Sequence, residues 1–420
     1  IKKRRFKRYN IGIIFDHLND ARPRLDIQQI NSKEILKPQD WTFPIPIAYG
    51  PGRINEIEEI CKSFNINHPL IVTDRSSQDL SFIGRLIDLL KEANIQSGLF
   101  TGISPNPRDD EISKGSSSFK SGDHDAVIAI GGGSAMDGAK AICLTANNEI
   151  PLWDFEWEKE PAKIGNDQPF PKLITIPTTA GTGAETEGTA MVTDTDKGMK
   201  FCICHPGFRP SITILDPELT LGLPRTLTAW TGADAMIHAI EGYCVPGFHP
   251  LCDGAALQSL SLVSENLILA VDEPNNIKAR GAMLVASCLG GIAFLKGLGL
   301  VHAISHMVGA EFDTHHGLTN AIVLPVVTRY NFPELEGKVQ RMSSAMHYED
   351  GSVEAFISNL DELLDRIEIP KSLDEIGVPI DCVKRISEKA MKDSAYATNP
   401  RIASLEDMNQ LVYKSIKQAR

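Results

Sequence analysis

The chain has 420 residues, 42% hydrophobic and 23% charged, which is the composition of a soluble globular protein with more length than one ordinary compact core uses. With 54 acids against 42 bases, its net charge of −12 argues against a dedicated nucleic-acid binder, which would present a basic face. Eight cysteines without a Cys-x-x-Cys pair read as free thiols of a reducing compartment, and no uncharged apolar run reaches membrane-spanning length, about 18 residues.

Residues 1–40 mix charges without periodicity. The basic start, Ile1-Lys-Lys-Arg-Arg, lacks the apolar segment of a secretory signal and reads as a solvated tail first, with a targeting arm or an upstream translated stretch as the alternatives. Order is expected from Trp41, through the turn at Gly50-Pro51-Gly52. Pro69-Leu-Ile-Val-Thr-Asp74 suits a buried parallel strand, and 82–93 a helix with Ile83, Leu86, Ile87, Leu89 and Leu90 on one broad apolar face. A strand at 97–100, a polar helix at 109–121 and a strand at 126–130 follow, with further strands at 172–176 and 211–215. Such alternation predicts a parallel sheet with helices on its faces. After Leu223-Pro224 strand signals become scarce, and helical periodicity covers 258–271, 278–290, 352–367 and 404–419. The most apolar region, 282–308, is interrupted by Lys296, His302 and His306 and reads as buried helices. The division expected is an extension at 1–40, an α/β domain at 41–224 and an all-helical domain at 225–420.

Three segments carry candidate chemistry in the first half. Gly131-Gly-Gly-Ser-Ala-Met-Asp137 follows a strand and opens a helix. It is either a plain tight turn or a phosphate cradle, where glycines admit close approach and the helix start offers free N–H groups. Its spacing is not Gly-x-Gly-x-x-Gly, so the common dinucleotide fingerprint does not apply. Pro177-Thr-Thr-Ala-Gly-Thr-Gly-Ala-Glu185 also follows a strand and is rich in hydroxyls that can wrap a polar ligand. Asp74 ends a strand, where an acid either binds a ribose 2′-hydroxyl or serves as a turn or helix-cap residue. Cys202 and Cys204 alternate as strand residues do, and no second ligand pair accompanies them.

The second half carries the metal signal. Asp234 and His238, four apart in a small and apolar stretch, share a helix face. They are either a satisfied core pair or part of a cation site. Four of the eleven histidines then fall between His302 and His316. Asp313-Thr314 looks like a helix break, so His302 and His316 can face one point from two helices. One carboxylate and several imidazoles suit Fe(II) or Zn(II).

Taken together, Gly131-Gly-Gly-Ser-Ala-Met-Asp137, Pro177–Glu185, Asp216-Pro-Glu-Leu, Gly232–Glu241, Gly299-Leu-Val-His…His…His-Gly317 and Ala397-Thr-Asn-Pro-Arg401 resemble the iron-containing alcohol dehydrogenase family over about residues 42–420. The resemblance implies an N-terminal parallel-sheet dinucleotide-binding domain and a C-terminal all-helical metal-binding domain. It implies Asp234, His238, His302 and His316 as ligands of Fe(II), with Zn(II) possible on the same set, and His306 as a proton relay beside the nicotinamide. Gly132, Gly133 and Ser134 would hold the pyrophosphate of NAD, with Asp137, Thr178, Thr179 and Thr182 also on the cofactor and Asp74 favouring NAD over NADP. The implied activity is hydride transfer between NAD(H) and a small alcohol or aldehyde whose oxygen sits on the metal, in a cytoplasmic homodimer without nucleic-acid or membrane partners. Alternatives are a hydroxyacid–oxoacid transhydrogenase or a metal-free maleylacetate reductase on the same scaffold, or a non-catalytic metal or nucleotide binder. The chain departs from the family pattern at Ala184, in place of serine, and at His306-Met-Val, in place of His-Pro-Leu. Thr189 and Ala395 fall where other members place substrate-pocket side chains.

Overall fold

Apolar runs too short for helices build the sheet. Its strands are β1 (Ile47–Tyr49), β2 (Pro69–Asp74), β3 (Gly98–Ile103), β4 (Ala126–Gly131), β5 (Lys172–Pro177) and β8 (Ile212–Leu215), in the order β1-β8-β5-β4-β2-β3. All neighbours are parallel. The computed structural model describes residues 45–420 apart from 167, 418 and 419. The extension at 1–40 and the expected onset of order at Trp41 lie outside the described residues.

The central strands β2 and β4 are buried throughout, which is why they read as unbroken apolar runs. Ile128 of β4 pairs with Ile71 of β2 on one side and Ile174 of β5 on the other. Helices α1 (Ile57–Ser63), α2 (Ser81–Glu92), α3 (Asp109–Ser121) and α4 (Gly133–Ala146) lie between the strands in sequence, and apolar residues of α1 and α2 form one core cluster with residues of β2, β4 and β5.

The sequence reading misses two features. β1 has only three residues, too few for a periodic signal. β6 (Ala190–Asp194) and β7 (Met199–Ile203) form an antiparallel hairpin whose mixed polar residues lack an apolar run. Cys202 does lie in a strand, β7, and all eight cysteines are free.

From residue 225 onward the described residues form helices only: α5 (Arg225–Cys244), α6 (Pro250–Asp272), α7 (Ile277–Ala293), α8 (Leu300–Phe312), α9 (His316–Asn331), α10 (Glu336–Ala345), α11 (Val353–Arg366), α12 (Val383–Ala390) and α13 (Leu405–Lys417), with short 3-10 turns between. α5 is buried on every side from Thr231 to Cys244, so an amphipathic stripe is not needed. α6 and Ile277–Lys296 are long and apolar enough to cross a membrane by length and composition. Many of their apolar residues, including Leu260, Leu267 and Leu284, belong to the same packed core as α5.

Loop residues after β5 seat directly on the helical half through glycines. A Cβ on Gly181 would lie 2.7 Å from Cβ of Thr231 on α5. At Gly183, where φ is +64°, a Cβ would lie 2.5 Å from the Ser287 carbonyl and 2.6 Å from Gly291, both on α7. Backbone thus meets backbone with no side chain between them.

Candidate active site

The carboxyl ends of β2, β4 and β5, adjacent in the sheet, deliver Asp74, Gly131 and Pro177 to one edge, where ligands of open parallel sheets bind. Gly131 has φ +144°, and a Cβ there would meet Ala135 at 2.8 Å and Asp74 Oδ2 at 3.0 Å. Only glycine turns the chain so tightly beside the acid. Its carbonyl accepts from Thr178 N–H at 2.9 Å, which ties the two loops together.

Asp74 is both a turn residue and a cavity residue. Its Oδ1 accepts from the amides of Ser76 and Ser77, each at 3.0 Å, and from the Ser76 hydroxyl, while its Oδ2 takes the Ser77 hydroxyl at 2.8 Å. These bonds hold a carboxylate in fixed orientation at the cavity wall. Asp137 is engaged on both oxygens, by Met191 N–H at 3.1 Å and Lys140 Nζ at 3.1 Å. Lys140 is fully buried and also donates to the Ala184 carbonyl at 2.9 Å and to Glu187 at 2.5 Å. Burial opposes its charge, but Glu187 and Asp137 more than offset that and hold its pKa above the ordinary lysine value. Asp137 therefore braces the hairpin behind the glycine loop as well as lining the cavity.

The four expected metal residues come together. Ligand-type atoms of Asp234, His238, His302 and His316 all lie within 4.8 Å of one another. Asp234 and His238 stand one turn apart on α5, His302 sits in the first turn of α8 and His316 opens α9. The expected helix break is real: α8 ends at Phe312, and Asp313 takes the left-handed conformation with φ 53°. It also separates two adjacent histidines. His315 caps α9, its Nδ1 accepting from Leu318 N–H at 3.4 Å, while His316 turns to the cluster.

The donor chemistry fits a cation. Nε2 of His302 and Nε2 of His238 face each other at 3.0 Å. His302 donates from Nδ1 to Glu241 at 2.6 Å, so Nε2 is the ring nitrogen turned to the other donors. Burial pushes the His238 imidazole down to about 4 and holds His316 well below its ordinary value, which keeps both neutral and able to ligate. Asn320, one turn after His316, donates to Asp234 Oδ1 at 2.8 Å and lies 3.1 Å from Nε2 of both His302 and His316.

His306, one turn beyond His302, stacks on His316 with ring centres 5.4 Å apart. Its Nδ1 bonds buried Asp393 at 2.9 Å. One cavity of about 1010 Å³ is lined by the glycine loop, Thr178, Thr179 and Thr182 on one hand and by the four metal-type residues and His306 on the other. Thr189 and Ala395 line it as well, although the Thr189 hydroxyl is bonded to Glu187.

Comparison with known proteins gives the family of this chain. The family model described as iron-containing alcohol dehydrogenase matches residues 44–217, and the model of the Fe-containing alcohol dehydrogenase family, C-terminal, matches 228–416. The chain belongs to the iron-containing alcohol dehydrogenase family. It is 33% identical over 389 residues to the NAD-dependent methanol dehydrogenase of Bacillus methanolicus, an alignment covering 90% of this chain and 100% of that one. It is 34% identical over 382 residues to the 1,3-propanediol dehydrogenase of Citrobacter freundii, covering 89% and 97%. A crystal structure of a 1,3-propanediol oxidoreductase matches with a TM-score of 0.85 at 32% identity, covering 90% of this chain and 100% of that one.

Several residues of this dehydrogenase's cavity escape a reading of the sequence. Asp393 is separated from His306 by 87 positions and carries no local signal. Lys200 lies on the unrecognised strand β7, lines the cavity, and has its ammonium pulled down to about 8 by burial, against the attraction of Asp137. Asn320 was within reach, because a polar side chain four after His316 shares its helix face.

Proposed function

We propose that this dehydrogenase transfers a hydride between NAD(H) and a small alcohol or aldehyde, using Fe(II), or Zn(II) on the same donors, held by Asp234, His238, His302 and His316. What carries the reading is a single cavity lined both by that donor set and by the glycine-rich strand-to-helix loop. When bound, the divalent ion supplies Lewis acidity that lowers an alcohol's pKa and polarises a carbonyl.

The chain's own residues do the rest. Gly132, Gly133 and Ser134, at the start of α4, offer N–H groups and the helix dipole to a pyrophosphate. Thr178, Thr179 and Thr182 add hydroxyls on the facing loop, and Asp137 stiffens the base. With its Nδ1 proton directed to Asp393, His306 keeps Nε2 as a base that can accept or return the substrate proton. Asp74 would bond a ribose 2′-hydroxyl and repel a 2′-phosphate. Replacing Asp74 with Ala is expected to raise kcat/KM for NADP relative to NAD by about tenfold or more, one lost charge repulsion of about 1.4 kcal/mol. Wild-type turnover as good with NADP as with NAD would remove Asp74 from this role.

The reading is tested by following NADH oxidation over a panel of small aldehydes with Fe(II) or Zn(II) present. Exhaustive chelation is expected to abolish turnover, and either ion to restore it. Turnover indifferent to chelation would overturn the metal assignment. The relatives described above bear dehydrogenase names, which does not favour a transhydrogenase. The same proposal divides the chain at residue 224 into cofactor and metal domains. It also takes the enzyme as a cytoplasmic homodimer without nucleic-acid or membrane partners, in keeping with its acidic charge and free thiols.

A further inference from the structure

We infer that Glu241 is a positioning residue that sets the metal affinity of this site, by fixing the tautomer of His302 and by supplying the second negative charge that balances a divalent ion. The inference rests on the metal reading above.

Glu241 lies on α5, three residues after His238, and is only 5% exposed. Its Oε1 accepts from Val301 N–H at 2.8 Å. Its Oε2 accepts from Gly299 N–H at 3.2 Å, His302 N–H at 3.3 Å and His302 Nδ1 at 2.6 Å. The three amides belong to the start of α8 and have no partner within that helix, so the carboxylate caps it across 58 or more positions. The approach is close enough that a Cβ on Gly299 would lie 2.7 Å from Glu241 Oε1. Glu241 thus holds the first turn of α8, with Asn399 on the Leu300 amide at 3.1 Å, and also directs which ring nitrogen of His302 bears the proton.

Charge gives the second reason. Asp234 is the one carboxylate in the donor set, and three neutral imidazoles add nothing. A divalent ion there would leave one positive charge uncompensated in a buried site, which is unfavourable at low dielectric. Glu241 touches the donor set through His302 and closes the balance. Asp393 bonds His306 instead, which is outside the set, and Lys200 carries the opposite charge in the wider cavity.

A residue that merely caps α8 would behave differently from one that tunes the ion. Glu241→Gln keeps an accepting oxygen at the same reach and removes the charge. The measurement is Zn(II) affinity of the full chain, by competition with a chromophoric chelator, alongside helix content of the metal-free protein by circular dichroism. The Gln variant is expected to keep its helix content while its Zn(II) dissociation constant rises 10- to 100-fold, the usual effect of losing the partner of a ligating histidine. Glu241→Asp keeps the charge at shorter reach and should bind Zn(II) more tightly than the Gln variant but more weakly than wild type. Zn(II) affinity within about twofold of wild type in the folded Gln variant, or in the Asp variant should the Gln variant not fold, overturns the inference. A wild-type chain that fails to take one equivalent of Zn(II) would instead bring down the metal reading beneath it.

Discussion

Replacing His302 with alanine should abolish turnover. The substitution removes one of the four proposed donors and at the same time deprives Glu241 of its shortest partner, leaving that buried carboxylate with its three amide donors alone. If Lewis acidity is worth several kcal/mol of transition-state stabilisation, its loss lowers kcat by about a thousandfold or more. Metal content should fall with it, measured on the dialysed protein. A chelated His302→Ala protein with full activity would remove His302 from the ligand set. His315 provides the contrast: it lies next to His316 but spends its ring on the α9 cap. His315→Ala should keep its metal and lose only about 1 kcal/mol of stability, the ordinary loss of a cap.

Gly183→Val is expected to be the most damaging change outside the donor set. The position has φ +64°, and any Cβ would be driven to 2.5 Å from the Ser287 carbonyl and 2.6 Å from the Gly291 backbone. Left-handed backbone costs about 1–2 kcal/mol for a non-glycine residue, and overpacking adds about 1–3 more. Against a total stability of about 5–15 kcal/mol this predicts a clear drop in the urea midpoint, or failure to accumulate as folded protein. Gly254→Ala is the control. It lies within α6 with nothing within 4 Å of its Cβ position, so it should be neutral or stabilise by up to about 1 kcal/mol. Equal midpoints for the two variants would show that the loop is free to move off α7.

Much of this was legible in the sequence because the features are local. A buried parallel strand announces itself as an unbroken apolar run, as at Pro69–Asp74, and the glycine loop is recognisable because it follows such a run directly. Asp234 and His238 are visible as a pair because a helix repeats every turn. The convergence of His302 and His316 could be anticipated only because the break at Asp313 is written in the intervening residues. What was not legible is what distance in sequence hides. Glu241 stood in plain view within a recognisable segment, yet its partners lie about 60 positions away, at the start of another helix. Asp393 has no signature at all without the fold that brings it to His306. The β6–β7 hairpin, with Lys200 inside it, escaped notice because its alternation, Met199-Lys-Phe-Cys-Ile203, runs for only five residues, with Lys200 and Cys202 turned to the cavity.

The glycine at 181 has a consequence for the chemistry. It rests against Cβ, Cα and the carbonyl of Thr231, one turn before Asp234 on the same helix, so the threonine-rich loop and the helix that carries Asp234 are gauged from one another at atoms with no rotamer freedom. A separation set in this way does not depend on which rotamer a spacer side chain adopts, and thermal motion of side chains does not lengthen it. The spacing between that loop and α5 is therefore held by parts that have no rotamer to change.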